Sequence, residues 1–189
     1  MKRKNLVLVL VVLSGLATSN AFAWDGKRQG FLLGLGAGIG QLSYEGVQHD
    51  LVSTDPQEDK VSAIAFIPKL GYAFTDQLAI LYSRHPFLYE STNDKDETIS
   101  LTTCVEALEL HYYFSSEAPS LYFGIGAGNS YLFKDDMNEP ERLKGTGSMA
   151  SLGYEFARHF SVDFTYTHAV PQSDATVTGM ALTLSILGY

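Results

Sequence analysis

The stretch Gly34-Leu35-Gly36-Ala37-Gly38-Ile39-Gly40 alternates bare and apolar positions at a period of two. The figure returns as Phe123-Gly124-Ile125-Gly126-Ala127-Gly128, with Gly124 standing 90 positions after Gly34. That period belongs to a β-strand, because successive side chains point to opposite faces. One face of each strand is apolar and the other is nearly bare. A bare face suits a strand that curves tightly or lets another group come close.

The same alternation extends along the chain. It predicts eight strands near 30–43, 61–74, 78–88, 98–114, 120–132, 144–156, 160–170 and 176–189. Three connections, at 75–77, 115–119 and 157–159, are short. Those at 44–60, 89–97, 133–143 and 171–175 are mostly longer and polar. Strict alternation of short and long connections is the mark of an up-and-down barrel with tight turns at one end. An internal repeat supports two similar halves. Leu70-Gly71-Tyr72-Ala73-Phe74 matches Leu152-Gly153-Tyr154-Glu155-Phe156, and a three-residue turn and a new strand follow each.

The first residues set the compartment. Lys2, Arg3 and Lys4 precede an unbroken apolar run at 6–13, and Ala21-Phe22-Ala23 forms a small-x-small cleavage site. This predicts a secretory signal peptide over 1–23, cleaved before Trp24, and a single domain over 24–189. The run is too short for the ~20 residues of a spanning helix. Removing three basic residues takes the net charge from −8 to −11. An exported acidic chain is a poor partner for nucleic acid. The single cysteine, Cys104, rules out an internal disulfide and reads as a small buried apolar residue.

Three features assign the bare face to a barrel interior and the apolar face to lipid. The lumen of eight strands is only just wide enough for side chains, so glycine suits it. The face opposite the apolar one carries Lys69, Glu109, His111 and Asp163 at mid-strand. Aromatics gather at strand ends. Tyr72, Phe74, Tyr112, Phe114, Tyr154, Phe156 and Phe160 flank the turns; Tyr44, Tyr82, Tyr89, Tyr131, Phe133 and Tyr166 lie toward the loops. Two aromatic girdles fit the two interfaces of a membrane. A soluble periplasmic calyx binding a small apolar ligand is the alternative. Three positions resist a simple register. Glu106 falls on the lipid face, so either it lies near the outer interface or a bulge shifts the register, and Pro68 interrupts strand two, where a bulge is plausible too. In the last strand Leu187 and Tyr189 oppose Leu182, Leu184 and Ile186.

On these residues the chain resembles the small eight-stranded outer-membrane barrels, typified by the transmembrane domain of outer-membrane protein A and the opacity-type surface proteins. The signal peptide, the opening glycine ladder, the Leu-Gly-Tyr-x-Phe strand ends and the aromatic terminal residue Tyr189 carry the resemblance. It implies an all-β transmembrane barrel in the outer membrane of a Gram-negative bacterium. It also implies outer-membrane lipid, lipopolysaccharide and the barrel-assembly machinery as partners, and a monomer. Members usually end in Phe with apolar alternation before it; here the terminal residue is Tyr and the alternation is out of register. No periplasmic peptidoglycan-binding domain is expected after Tyr189.

The chemistry in the sequence is sparse. The glycine ladders fail the dinucleotide motif, because Ile39 and Asn129 stand where its last glycine belongs. Ser83 and His85 share a face near the loop end of strand three, with His168 near the loop end of strand seven. No complete triad is visible, so they read as rim residues, and His49 and His159 as exposed loop and turn residues. Lys69, Glu109, His111, Glu155 and Asp163 form the expected polar lumen network. The network reads as an ion-pair plug in preference to a gate or narrow pore, because buried charges must pair and eight strands give no wide channel. Gly34, Gly36, Gly38, Gly124, Gly126 and Gly128 line the same lumen. The long loops hold Asp50, Asp55, Glu58 and Asp59, then Asp94, Asp96 and Glu97, then Asp135, Asp136, Glu139 and Glu141. None has the spacing of a calcium loop, so no metal and no cofactor is expected. The expected role is structural or interactional at the cell surface, without catalysis. The alternatives are a lipid A-modifying enzyme and a narrow pore.

Overall fold

The computed structural model describes residues 27–45, 60–92, 98–135, 141–171 and 176–189. The predicted signal peptide and most of the acidic loop residues lie outside the described residues. Every described element is a strand: β1 (Gly30–Glu45), β2 (Lys60–Ala73), β3 (Leu78–Thr92), β4 (Thr98–Tyr113), β5 (Ser120–Asp135), β6 (Glu141–Ala157), β7 (Phe160–Pro171) and β8 (Thr176–Gly188). Each pairs antiparallel with its chain neighbour, and β1 pairs with β8 to close the barrel. Closure leaves no strand edge unpaired, which lipid demands.

The ladder assigns the faces. Leu33, Leu35 and Ile39 are exposed, while Leu32 and Leu42 on the opposite parity are fully buried, with Gly34, Gly36, Gly38 and Gly40 between them. The exposed apolar side chains form one continuous belt around the wall. On β4 it comprises Phe114, Tyr112, Leu110 and Leu108; on β8 it comprises Ile186, Leu184, Leu182 and Met180. At ~3.3 Å per residue and a tilt near 40°, the rise between the first and last side chain of either run is roughly 15 Å, and these apolar runs lie within the band that an outer-membrane barrel turns to lipid. Toward the loops the outward side chains include polar ones, at Gln41, Ser62, Arg84, Glu106, Asn129, Ser148, His168 and Thr178, with Leu88 and Val170 exposed beyond Arg84 and His168.

Several sequence expectations are corrected here. The register is continuous through Glu106 on both sides of β4. No bulge forms there, which removes one of the two alternatives, and Glu106 faces outward on the loop side of Leu108, bonded to Arg84. The β2–β3 ladder lapses over 66–68 and 84–86, but the register is the same on either side. Pro68 and Pro86 both fall in this gap, and each lacks an N–H, so ladder bonds are missing without an inserted residue. The register shift in the barrel instead lies at Glu155/Ala157. It adjoins His159, whose φ of 74° turns the chain into β7. Strand β8 needs no slip, because Leu187 and Tyr189 face inward and Leu182, Leu184 and Ile186 face lipid. The turn-end girdle is as expected, but Tyr44 and Tyr89 are not part of the loop-end one. Their parity turns them into the lumen, with ring centroids 6.0 Å apart.

Candidate functional site

The lumen is occupied along its length by inward side chains. Its loop-end half is apolar: Leu42, Phe87, Tyr89, Val105, Met149 and Val177 pack together with several alanines. A smaller apolar cluster of Leu32, Leu81 and Tyr189 sits at the turn end. Polar groups are arranged in three sets around and between these clusters.

Glu109 is the centre of the first set. Its Oε1 lies 2.7 Å from His85 Nε2, and its Oε2 lies 2.6 Å from His111 Nε2. Ser83 Oγ is 2.7 Å from the same His85 nitrogen. The His111 ring stacks on Tyr122 at 5.2 Å. The glycine ladder of β5 makes the room. A Cβ on Gly124 would stand 2.6 Å from His111 Nε2 and 2.5 Å from Ser151 Oγ.

Asp163 organises the second set. Lys69 Nζ donates to its Oδ2 at 3.1 Å, Ser185 donates to the same oxygen, and the Tyr122 hydroxyl donates to Oδ1. This set ties β2 to β7 across the barrel.

Glu155 organises the third. Arg28 Nε donates to Glu155 Oε2 at 3.0 Å, and Arg28 Nη2 donates to the same oxygen. Arg28 Nη1 reaches two turn carbonyls, Asp76 O at 2.9 Å and Ser115 O at 2.8 Å. Its guanidinium lies 4.3 Å from the Tyr113 ring centroid. The Tyr189 hydroxyl donates to Glu155 Oε1 at 2.6 Å. The first and last described segments of the chain thus meet on one carboxylate.

Each predicted network residue faces the lumen, but Lys69, Glu109, His111, Glu155 and Asp163 do not form a single cluster. The described lumen buries three carboxylates against two permanent cations, Arg28 and Lys69. The donors of His85 and His111 complete the bonding of Glu109. Sequence reasoning missed Arg28, which precedes β1 and carries no strand signal. It also misplaced Ser83 and His85. They are not rim residues but fully buried members of the Glu109 set. Their parity with Leu81 and Ala79 was the available signal. His159 is half-buried rather than exposed, and its Nδ1 donates to Leu187 O at 2.9 Å. His168 faces outward opposite Ser148, away from the lumen. Cys104 is buried although its parity is outward, beside Arg84.

Ser83, His85 and Glu109 are not arranged as a hydrolytic triad. A working triad sets serine and carboxylate on opposite ring nitrogens, so that one accepts while the other donates. Here both partners use His85 Nε2, and Nδ1 has no hydrogen-bond partner. A proton held on Nε2 for Glu109 blocks the lone pair a nucleophile would need. Among the described residues, no group of three or more His, Cys, Asp or Glu is placed to hold a metal ion. A cavity beside Lys69, His111, Tyr122 and Glu155 has room for about one water molecule.

Known structures share the architecture. Ail, the attachment invasion locus protein of Yersinia pestis, solved with the heparin analogue sucrose octasulfate, superposes with a TM-score of 0.58 at 15% identity; the match covers 84% of this chain and 99% of Ail. Neisserial surface protein A superposes with a TM-score of 0.55 at 12% identity, covering 84% of this chain and 97% of its own. Among curated proteins, none matches this chain. The family model described as the outer membrane protein beta-barrel domain matches residues 8–186. With its closed eight-stranded wall and apolar belt, the chain belongs to that outer-membrane β-barrel family.

Proposed function

We propose that this protein is a closed barrel that does not conduct. It acts through the loops it holds at the cell surface, in envelope integrity or adhesion. The filling of the lumen carries this reading. An apolar half, three bonded polar sets and a turn-end apolar cluster occupy the lumen, and eight strands are too few for a wide channel. A barrel filled in this way is a rigid stave set, and its variable parts are the loops. The loops are acidic, with Asp50, Asp55, Glu58 and Asp59 in the first and Asp94, Asp96 and Glu97 in the second. Such a surface repels a polysulfate of the kind seen on Ail, so its ligands are cationic or neutral. The protein is a monomer, inserted by the barrel-assembly machinery, with both termini in the periplasm.

Planar-bilayer recording tests the reading. Wild-type protein should show little conductance, and Glu109→Ala should raise it by removing the acceptor of two histidines. A steady large wild-type conductance overturns the proposal. Replacing the acidic residues of 46–59 with serine should change adhesion of expressing cells to cationic surfaces and leave barrel assembly intact.

A further inference from the structure

Among the described residues, the loop-side part of the outer wall holds a charged pair, and directly below it lies a groove. Arg84 and Glu106 are cross-strand partners on β3 and β4, with Arg84 Nε 2.8 Å from Glu106 Oε1. Both face outward. Arg84 is 48% exposed, whereas Glu106 is only 19% exposed. Tyr82 hydrogen-bonds Glu106 from the row below, and Asn129 is the partner of Glu106 on β5. Charged side chains on a lipid-facing wall are rare and mark function more often than stability. At Gln41, Ser62, Ser148 and Thr178 the other strands carry uncharged residues, and at His168 a histidine.

The next rows down are Tyr82, Leu108 and Ala127, then Ile80, Leu110 and Ile125. Ala127 is small beside Leu108 and Ile125, and its β6 partner Ser148 is small as well, so the wall is recessed there to the backbone of Gly126. The result is an apolar groove lined by Ile80, Leu108, Leu110, Ile125 and Ala127. It ends one side-chain step, ~6.6 Å, below the charged row.

We infer that this face binds one lipid A molecule of the outer-leaflet lipopolysaccharide, with an acyl chain in the groove and a phosphate on Arg84. Arg84 bonds Glu106 through Nε and also bonds Cys104, and its guanidinium carries five N–H donors, more than these two partners use, so it has capacity for a second anion. Glu106 and Asn129 sit beside it to accept from and donate to the sugar. The height agrees, because long loops mark the extracellular side and the pair lies on that half of the wall. The inference rests on the outer-membrane placement of the barrel and not on a silent lumen, so conductance and lipid binding fail separately.

Native mass spectrometry of detergent-solubilised barrel titrated with bis-phosphorylated lipid A tests it. Wild-type protein should take up one lipid A. Arg84→Gln should weaken uptake about fivefold, as expected for one basic residue at an anionic headgroup. Ala127→Leu, which fills the groove, should cause a comparable loss. With fully dephosphorylated lipid A, wild type and Arg84→Gln should bind alike. All three proteins should keep the unheated gel mobility of a folded barrel, since both substitutions lie on the outer wall. Equal lipid A uptake by folded wild type, Arg84→Gln and Ala127→Leu overturns the inference. So does displacement of lipid A by an equimolar amount of phosphatidylglycerol.

Discussion

The two halves of the lumen solve one packing problem with different chemistry. Toward the loops, Leu42, Phe87, Val105, Met149 and Val177 fill space by shape alone. Toward the turns, Arg28, Lys69, His85, Glu109, His111, Glu155 and Asp163 fill it with polar and charged groups that must find partners. Apolar packing contributes in proportion to the volume it fills and loses stability by degrees. A buried ion set is closer to all-or-none, because removing one member strands the others without water. The polar half also makes bonds that the ladder lacks, since Lys69 to Asp163 joins strands that are not neighbours in the sheet.

The largest effect should come from stranding a charge. Asp163→Ala leaves Lys69 buried without its carboxylate and removes the acceptor of Tyr122 and Ser185. The expected loss is about 4 kcal/mol, read as a lower urea midpoint for the barrel in lipid vesicles. The double replacement Lys69→Met with Asp163→Leu should recover most of that loss. If single and double variants unfold alike, ion pairing is not what distinguishes the halves.

Phe87→Ala probes the apolar half. The ring lies against two glycines, and a Cβ on Gly40 would stand 2.7 Å from its Cε1. Glycines cannot lean in to fill the cavity, so the expected loss is about 3 kcal/mol by the same urea assay. Little conductance should follow, because the charged half stays bonded. A large conductance in Phe87→Ala would make the apolar half the seal.

Gly124→Ala presses a methyl into the polar half from the wall. Its Cβ would meet His111 Nε2 and Ser151 Oγ, and the expected cost is about 2 kcal/mol. Alanine at Gly34 meets the flexible end of Leu187 instead and should cost less. Equal urea midpoints for the two variants would show that the ladders serve strand curvature alone.

The comparison also separates what was legible in the sequence from what was not. Strands, turns and facing follow from local alternation, so Leu35 and Ile39 could be set toward lipid and Lys69 and Asp163 inward without tertiary information. Pairing partners depend on barrel stagger, which no local pattern encodes. Ser83 and His85 were therefore assigned the right parity and the wrong depth, since β3 continues to Thr92 and leaves them at mid-strand. Arg28 lies on no strand and reaches turns 48 and 87 positions away. Tyr44 and Tyr89 resembled girdle residues because both are aromatic near strand ends, although their parity turned them inward.

Tyr189 is where the two chemistries touch, and Tyr189→Phe should give the smallest effect. The ring packs with Leu32 and Leu81 and stands 4.5 Å from His159, and phenylalanine keeps all of that. Only the bond to Glu155 is lost, and Arg28 still holds the other carboxylate oxygen. One hydrogen bond of this kind is worth about 1 kcal/mol, so a small fall in the urea midpoint is expected, with unheated gel mobility unchanged. The same substitution tests which side of β8 guides assembly. Tyr189 points into the lumen, so the side chains a partner can reach on the closed wall are Leu182, Leu184 and Ile186. If those guide insertion, Tyr189→Phe assembles at the wild-type level while Leu184→Asp does not. Failure of Tyr189→Phe to reach the outer membrane would place the terminal hydroxyl in the assembly step itself, before it turns inward onto Glu155.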